Sequence, residues 1–109
     1  MTKLVHELLF VGKDNTFAVK FKINNSRRDF STVTKVEFTL GSTLVDSVAN
    51  PEYFDLTQGT GTIQFNLGAA GYTANDSGVA LITVYDPQNP DGIVFSSSRG
   101  PTKVDVEVI

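Results

Sequence analysis

The side chains of this sequence that could do chemistry are one histidine, twelve carboxylates and a short run of cations. His6 stands between Val5 and Glu7. Histidine catalysis needs a nucleophile and an orienting carboxylate that converge on the ring. The sequence carries no nucleophile elbow, so His6 is expected as an edge or partly exposed histidine. The carboxylates fall mostly in turns or at outward positions of alternating segments, where they solvate the surface. A glycosidase-like pair is defined by separation in space, not in sequence, so a hydrolase built on two of these acids stays open. Asp105 and Glu107 share one face of the last apolar segment and repel each other, which suits a solvated or interface strip.

The stretch Asp86-Pro87-Gln88-Asn89-Pro90-Asp91-Gly92 invites a calcium reading. The ligand spacing is wrong for an EF-hand loop, because Pro90 takes a ligand position. The two prolines suit a rigid turn instead. Lys20, Lys22, Arg27 and Arg28, with Lys35 further on, make the only basic cluster. No aromatic residue interleaves with them, so a stacking platform for single-stranded nucleic acid is missing. The net charge of −3 and the pI near 4.9 also disfavour non-specific nucleic-acid binding, which needs an electropositive face. A contact with an acidic partner protein fits this cluster better. With no cysteine there is no disulfide and no thiolate nucleophile or metal ligand. No catalytic residue, cofactor or metal ligand is assigned.

At 109 residues, with 40% hydrophobic and 10% aromatic content, the chain has the material for one core and is expected to form a single domain over residues 1–109. Its patterning has period two, broken by turn residues every eight to twelve positions, as in an all-β sandwich. A first strand is expected over Val5 to Val11. Phe17, Val19, Phe21 and Ile23 alternate with Ala18, Lys20 and Lys22. Thr34 to Leu40 turns Val36, Phe38 and Leu40 inward, and Gly41-Ser42 joins it to Thr43–Val48 as a hairpin. Phe54 to Gln58, Thr62 to Leu67, Gly78 to Asp86, Ile93 to Ser97 and Thr102 to Ile109 follow. A corner with one helical turn is expected between Leu67 and Ser77. The spacing gives seven to nine strands, an antiparallel sandwich of immunoglobulin type.

The segments Thr34–Leu40, Gly61–Leu67, Tyr72–Gly78 and Leu81–Pro87 resemble strands C, E and F of an immunoglobulin-like domain, with Asp76-Ser77-Gly78 similar to the step that enters strand F. Ala80 and Ile82 stand where such domains often carry tyrosine and cysteine, and there is no tryptophan; the antibody type is thereby excluded. Gly12-Lys13-Asp14-Asn15 before Phe17, the Val36-x-Phe38-x-Leu40 pattern, and Tyr85-Asp86-Pro87 with Phe95-Ser96-Ser97 resemble the immunoglobulin-like domains of phage structural proteins. These occur at the N-terminus of baseplate upper proteins and in small tail or head accessory proteins. The resemblance implies a virion component that acts by contact with other virion or assembly proteins.

The expected function is therefore non-enzymatic and structural, by protein–protein contact, with homo-oligomerisation or docking onto a larger assembly. The expected contact surface comprises Lys20, Lys22, Arg27, Arg28, Asp105 and Glu107, and Thr102–Ile109 is expected as an edge strand open to a neighbour's sheet. The alternative is a carbohydrate- or cell-surface-binding module from an exported protein, stacking sugar on Tyr53, Phe54, Tyr72 and Tyr85, against the preferred reading that Phe54 and Tyr85 are core and the tyrosines cap it. The N-terminus shows no secretory signal and the chain no membrane span. Synthesis in a host cytoplasm is expected, without membrane association.

Overall fold

The structure, a computed structural model, describes residues 3–20, 22–23, 26–27, 32–57, 61–100 and 102–109. In chain order the strands are β1 (Lys3–Leu9), β2 (Phe17–Lys20), β3 (Lys22–Ile23), β4 (Ser26–Arg27), β5 (Lys35–Leu40), β6 (Thr43–Asp46), β7 (Phe54–Asp55), β8 (Thr62–Phe65), β9 (Gly78–Asp86), β10 (Asn89–Ser96) and β11 (Thr102–Val108). The larger sheet runs β1-β11-β9-β5-β6, with β10 also paired to β9; the smaller runs β2-β8-β7, and β3 pairs with β4. This is an immunoglobulin-like β-sandwich: β2, β8 and β7 take the places of strands B, E and D, while β5, β9 and β10–β11 take those of C, F and G.

Two expectations need correction. The sandwich is not wholly antiparallel, because β1 runs parallel to β11, from Lys3 beside Thr102 to Leu9 beside Val108. A parallel pair needs a long crossover, which the whole intervening chain supplies. Nor is Thr102–Ile109 an edge: β11 lies between β1 and β9, so both sides of its ladder are occupied.

β10 and β11 are two pieces of one strand along β9. Ser96 sits beside Ile82 and Val104 beside Ala80, while the chain between them leaves the ladder. Ser96 closes the seam: its hydroxyl donates to the Ala80 carbonyl (2.7 Å) and accepts from the Val104 N–H (3.0 Å). The Asp86–Gly92 stretch is also tighter than a loop. Asp86 pairs with Asn89 across Pro87-Gln88, and Asp86 Oδ1 accepts from the Gln88 and Asn89 N–H groups and from Asn89 Nδ2. This carboxylate is spent on turn chemistry.

The core follows from the alternation. Val36, Phe38 and Leu40 of β5, Ala80, Ile82 and Val84 of β9, and Val104 and Val106 of β11 face Phe17, Val19, Ile63 and Phe65 across the sandwich, all buried. Phe38 meets Phe65 at 5.1 Å between ring centroids and Phe17 meets Phe65 at 5.3 Å. Truncating such a buried ring to alanine costs about 3–5 kcal/mol. Tyr72, a candidate for sugar stacking only in the alternative reading, is 2% exposed. It packs edge-on to Phe38, and its hydroxyl donates to the Thr43 carbonyl. The expected helical turn is a 3-10 turn, Ala74–Asp76, closed by a capping box between Thr73 and Asp76. The β5–β6 turn presses on it so closely that a Cβ on Gly41 (φ +61°) would lie 2.2 Å from Asp76 Oδ1.

Candidate functional site

Successive residues of a strand point to opposite faces, so burying one set leaves the other on the outside. On the larger sheet that outer set includes Leu4, His6 and Leu8 of β1, Lys103, Asp105 and Glu107 of β11, Leu81, Thr83 and Tyr85 of β9, Val94 of β10, Lys35, Glu37 and Thr39 of β5, and Leu44 of β6. Register aligns some of these across the strands: Leu44 beside Thr39 beside Leu81, and Leu4 beside Lys103. Leu4, Leu8, Leu44, Leu81 and Val94 are 65%, 41%, 51%, 42% and 54% exposed. Among the described residues, five of the eight strongly exposed large apolar side chains therefore stand on one sheet face.

Polar side chains frame this apolar set in two groups. Near β1, His6 lies directly beside Asp105 in the parallel ladder. Its Nδ1 is 2.9 Å from Asp105 Oδ2 and its Nε2 is 3.8 Å from Glu107 Oε1. The ring thus sits against both carboxylates, and the pair expected to repel has an imidazole for company. The other group is Tyr85, Glu37 and Lys35. The Tyr85 hydroxyl donates to Glu37 Oε1, Lys35 Nζ is 3.4 Å from Glu37 Oε2, and the same ammonium lies 4.5 Å from the Tyr85 ring centroid. The hydrogen bond to Glu37, above all, pushes the Tyr85 phenol up from its ordinary value.

Glu7 differs from its neighbours. Val5 packs against the core and Leu9 is buried, so by alternation Glu7 falls on the inward side of edge strand β1. Burial raises its carboxyl above the ordinary value, opposed in part by His6.

The expected contact residues do not form one surface. Asp105 and Glu107 belong to the outer face of the larger sheet. Lys20 is exposed on β2 in the smaller sheet, and Lys22 and Arg27 occupy paired register positions in the β3–β4 hairpin. Arg28 lies outside the described residues. Lys35 is on β5, engaged with Glu37 and Tyr85.

No protein-family model matches this chain, and a search of curated proteins finds no match.

A second feature lies at the smaller sheet, a depression of about 210 Å³ lined by Thr16, Glu52, Tyr53, Phe54, Asp55, Gln64 and Asn66. The 3-10 turn Pro51–Tyr53 delivers Glu52 and Tyr53, β7 delivers Phe54 and Asp55, and β8 with the residue after it delivers Gln64 and Asn66. Sequence reasoning named Tyr53 and Phe54 but not the amides; Gln64 reads there only as an outward residue of a strand. Two acids thus share a concavity, as a carboxylate-pair hydrolase requires. A general acid of that kind is a carboxyl held protonated by its surroundings. Glu52 is exposed, and Asp55 Oδ1 accepts from the Thr57 N–H (2.8 Å) and hydroxyl (2.6 Å). Among the described residues no three histidine, cysteine or acidic side chains are grouped to hold a metal ion, and no helix is long and apolar enough to cross a membrane.

Proposed function

We propose that this domain is a non-catalytic structural module that self-associates within a larger protein assembly, through the outer face of its larger sheet. One observation carries the reading: the gathering of Leu4, Leu8, Leu44, Leu81 and Val94 on that face. Scattered exposed apolar residues are ordinary on protein surfaces, whereas a contiguous group rimmed by polar side chains marks a contact. Here Leu4, Leu44, Leu81 and Val94 lie between His6 and Asp105 on one side and Lys35, Glu37 and Tyr85 on the other, with Lys103 beside Leu4, while Leu8 stands beyond His6, beside Glu107. A phage virion is the assembly in view, and the support for that setting is the sequence resemblance to phage structural domains.

Sedimentation velocity over a concentration series tests the proposal. The wild-type chain is expected to shift to a larger species as concentration rises, and Leu81→Asp, which changes an outward side chain, to remain monomeric with an unchanged thermal midpoint. A wild-type chain that stays monomeric to about 1 mM, a concentration at which even an interface of only ~4 kcal/mol associates, would overturn it. So would a Leu81→Asp variant that associates as the wild type does.

A further inference from the structure

The depression on the smaller sheet has a chemistry of its own. Its wall carries the Glu52 and Asp55 carboxylates, the Gln64 and Asn66 amides and the Thr16 hydroxyl, with Tyr53 and Phe54 beside them. Gln64 Nε2 donates to Thr16 Oγ1 at 2.7 Å, which fixes the amide and leaves its carbonyl oxygen as an acceptor. Asn66 is half-buried, and its side-chain amide makes no hydrogen bond among the described residues, although its backbone N–H is held by the Tyr53 carbonyl at 3.0 Å. Its backbone is thus held on an ordered strand end, while its two donors and two lone pairs meet no partner among the described residues. Tyr53 is anchored from behind, its hydroxyl donating to the Ala69 carbonyl, and Phe54 is braced edge-on against Phe65 at 5.6 Å.

This lining selects among ligand classes. Among the described residues no lysine, arginine or histidine lines the depression, so phosphates, sulfates and acidic sugars meet two carboxylates and no described cation. A lipid tail or drug-like apolar molecule needs a larger, mostly apolar cavity of about 300 Å³ or more. A divalent cation prefers six or more oxygens, several of them carboxylates, and only two carboxylates are present. What remains is a neutral molecule that donates several hydroxyl hydrogens, accepts from an amide and offers C–H groups to an aromatic ring. We infer that the depression formed by Thr16, Glu52, Asp55, Gln64 and Asn66 beside Tyr53 and Phe54 is a subsite for one ring of a neutral saccharide. The site lies on the smaller sheet, so it does not depend on the assembly face of the larger one.

Amide chemical-shift mapping of the intact chain tests it, with glucose, galactose, mannose, N-acetylglucosamine and short neutral oligosaccharides as probes and glucuronic acid and calcium chloride as controls. At least one neutral sugar is expected to bind in the millimolar range and to shift amides confined to residues 52–55, 64–66 and 16. Glu52→Gln and Asn66→Ala, both at solvent-reachable positions, are each expected to weaken that binding about tenfold, the loss of one strong hydrogen bond, with thermal midpoints unchanged. A panel without any saturable shift overturns the inference. So do shifts that map elsewhere, variants that bind as the wild type does, or calcium or glucuronate binding at these residues in preference to every neutral sugar. Because Leu81 lies on the opposite face, Leu81→Asp should leave the sugar shifts intact, which separates failure of this site from failure of the assembly reading.

Discussion

Ser96→Ala removes a single oxygen atom and should be among the most damaging small changes in the domain. Ser96 is 1% exposed and sits at the seam where β10 gives way to β11. Its hydroxyl bridges two backbone groups at the break between β10 and β11, the Ala80 carbonyl and the Val104 N–H. Both belong to residues that are fully buried, so water cannot replace the lost oxygen without opening the sheet. An unsatisfied buried backbone group costs about 1–3 kcal/mol, and two are created together, so about 2–5 kcal/mol is expected. The cavity left by one hydroxyl adds little. Against a total stability of roughly 5–15 kcal/mol for a domain of this size, that is a large fraction. At about 4–8 °C per kcal/mol, the thermal midpoint should fall by at least ~8 °C. Urea unfolding of wild type and variant, at equal m-values, measures the difference directly. Ser77→Ala is the control, since the Ser77 hydroxyl serves a single N–H, that of Val108, and should cost about half as much. A Ser96→Ala variant within about 0.5 kcal/mol of wild type would refute the idea that this hydroxyl stands in for a missing rung.

Two further outcomes follow from the titratable groups. Burial raises the Glu7 carboxyl, so the folded state holds that proton more tightly than the unfolded chain; ionised Glu7 opposes folding above its raised value, and the opposition fades as the pH falls through it. Glu7→Gln should therefore raise the urea midpoint at pH 7 and lose its advantage in acid, whereas an equal gain at both pH values would contradict the placement. Tyr72→Phe should cost about 1 kcal/mol at neutral pH through the bond to Thr43. Its phenol is pushed up, first by burial and then by the Asp76 and Tyr53 charges. The stability tied to the protonated phenol is thus whole below the ordinary value near 10 and drains away above it, so the variant should show a flatter decline in alkaline urea titrations.

The strands were legible wherever one face is buried and the other wet. β5 and the Gly41-Ser42 turn can be read directly, because Val36, Phe38 and Leu40 alternate without a break and Gly41 needs a positive φ. The bounds of β9, Gly78–Asp86, match for a different reason: the segment is apolar on both faces, as suits a central strand. What alternation cannot carry is which strand lies beside which. Val104, Val106 and Val108 look the same at an edge or between two neighbours, and only the parallel docking of β1 makes β11 interior. Tyr72 sits in a Gly- and Ala-rich connection without periodicity, so nothing local decides between capping the core and stacking a ligand, and only the fold puts it inside. The depression on the smaller sheet was half legible: its aromatics are conspicuous, but Gln64 and Asn66 become site residues only when β7 pairs with β8, Asp55 beside Gln64.

The edges and faces of the larger sheet bear differently on how such a domain could associate. With β11 interior, the open edges of the sheet among the described residues are β1, β6 and the outer side of β10, which pairs with β9 alone. The β6 strand is four residues long, and Asp46 at its end turns away to accept from the Val48 and Ala49 N–H groups, which bends the chain out of strand geometry. On β1, Glu7 on the inward side would have to be further desolvated if another strand were laid alongside it. Short edge strands and inward-pointing charges are the devices that discourage edge-to-edge pairing. The faces carry no such protection: Leu44 and Leu81 flank Thr39 across three strands of ordered sheet, on a surface that a flat partner could cover without breaking a ladder. Association through a face also leaves the Lys35–Glu37–Tyr85 group beside the contact, where Glu37 already has the Lys35 ammonium at 3.4 Å and a partner need not supply a counter-ion.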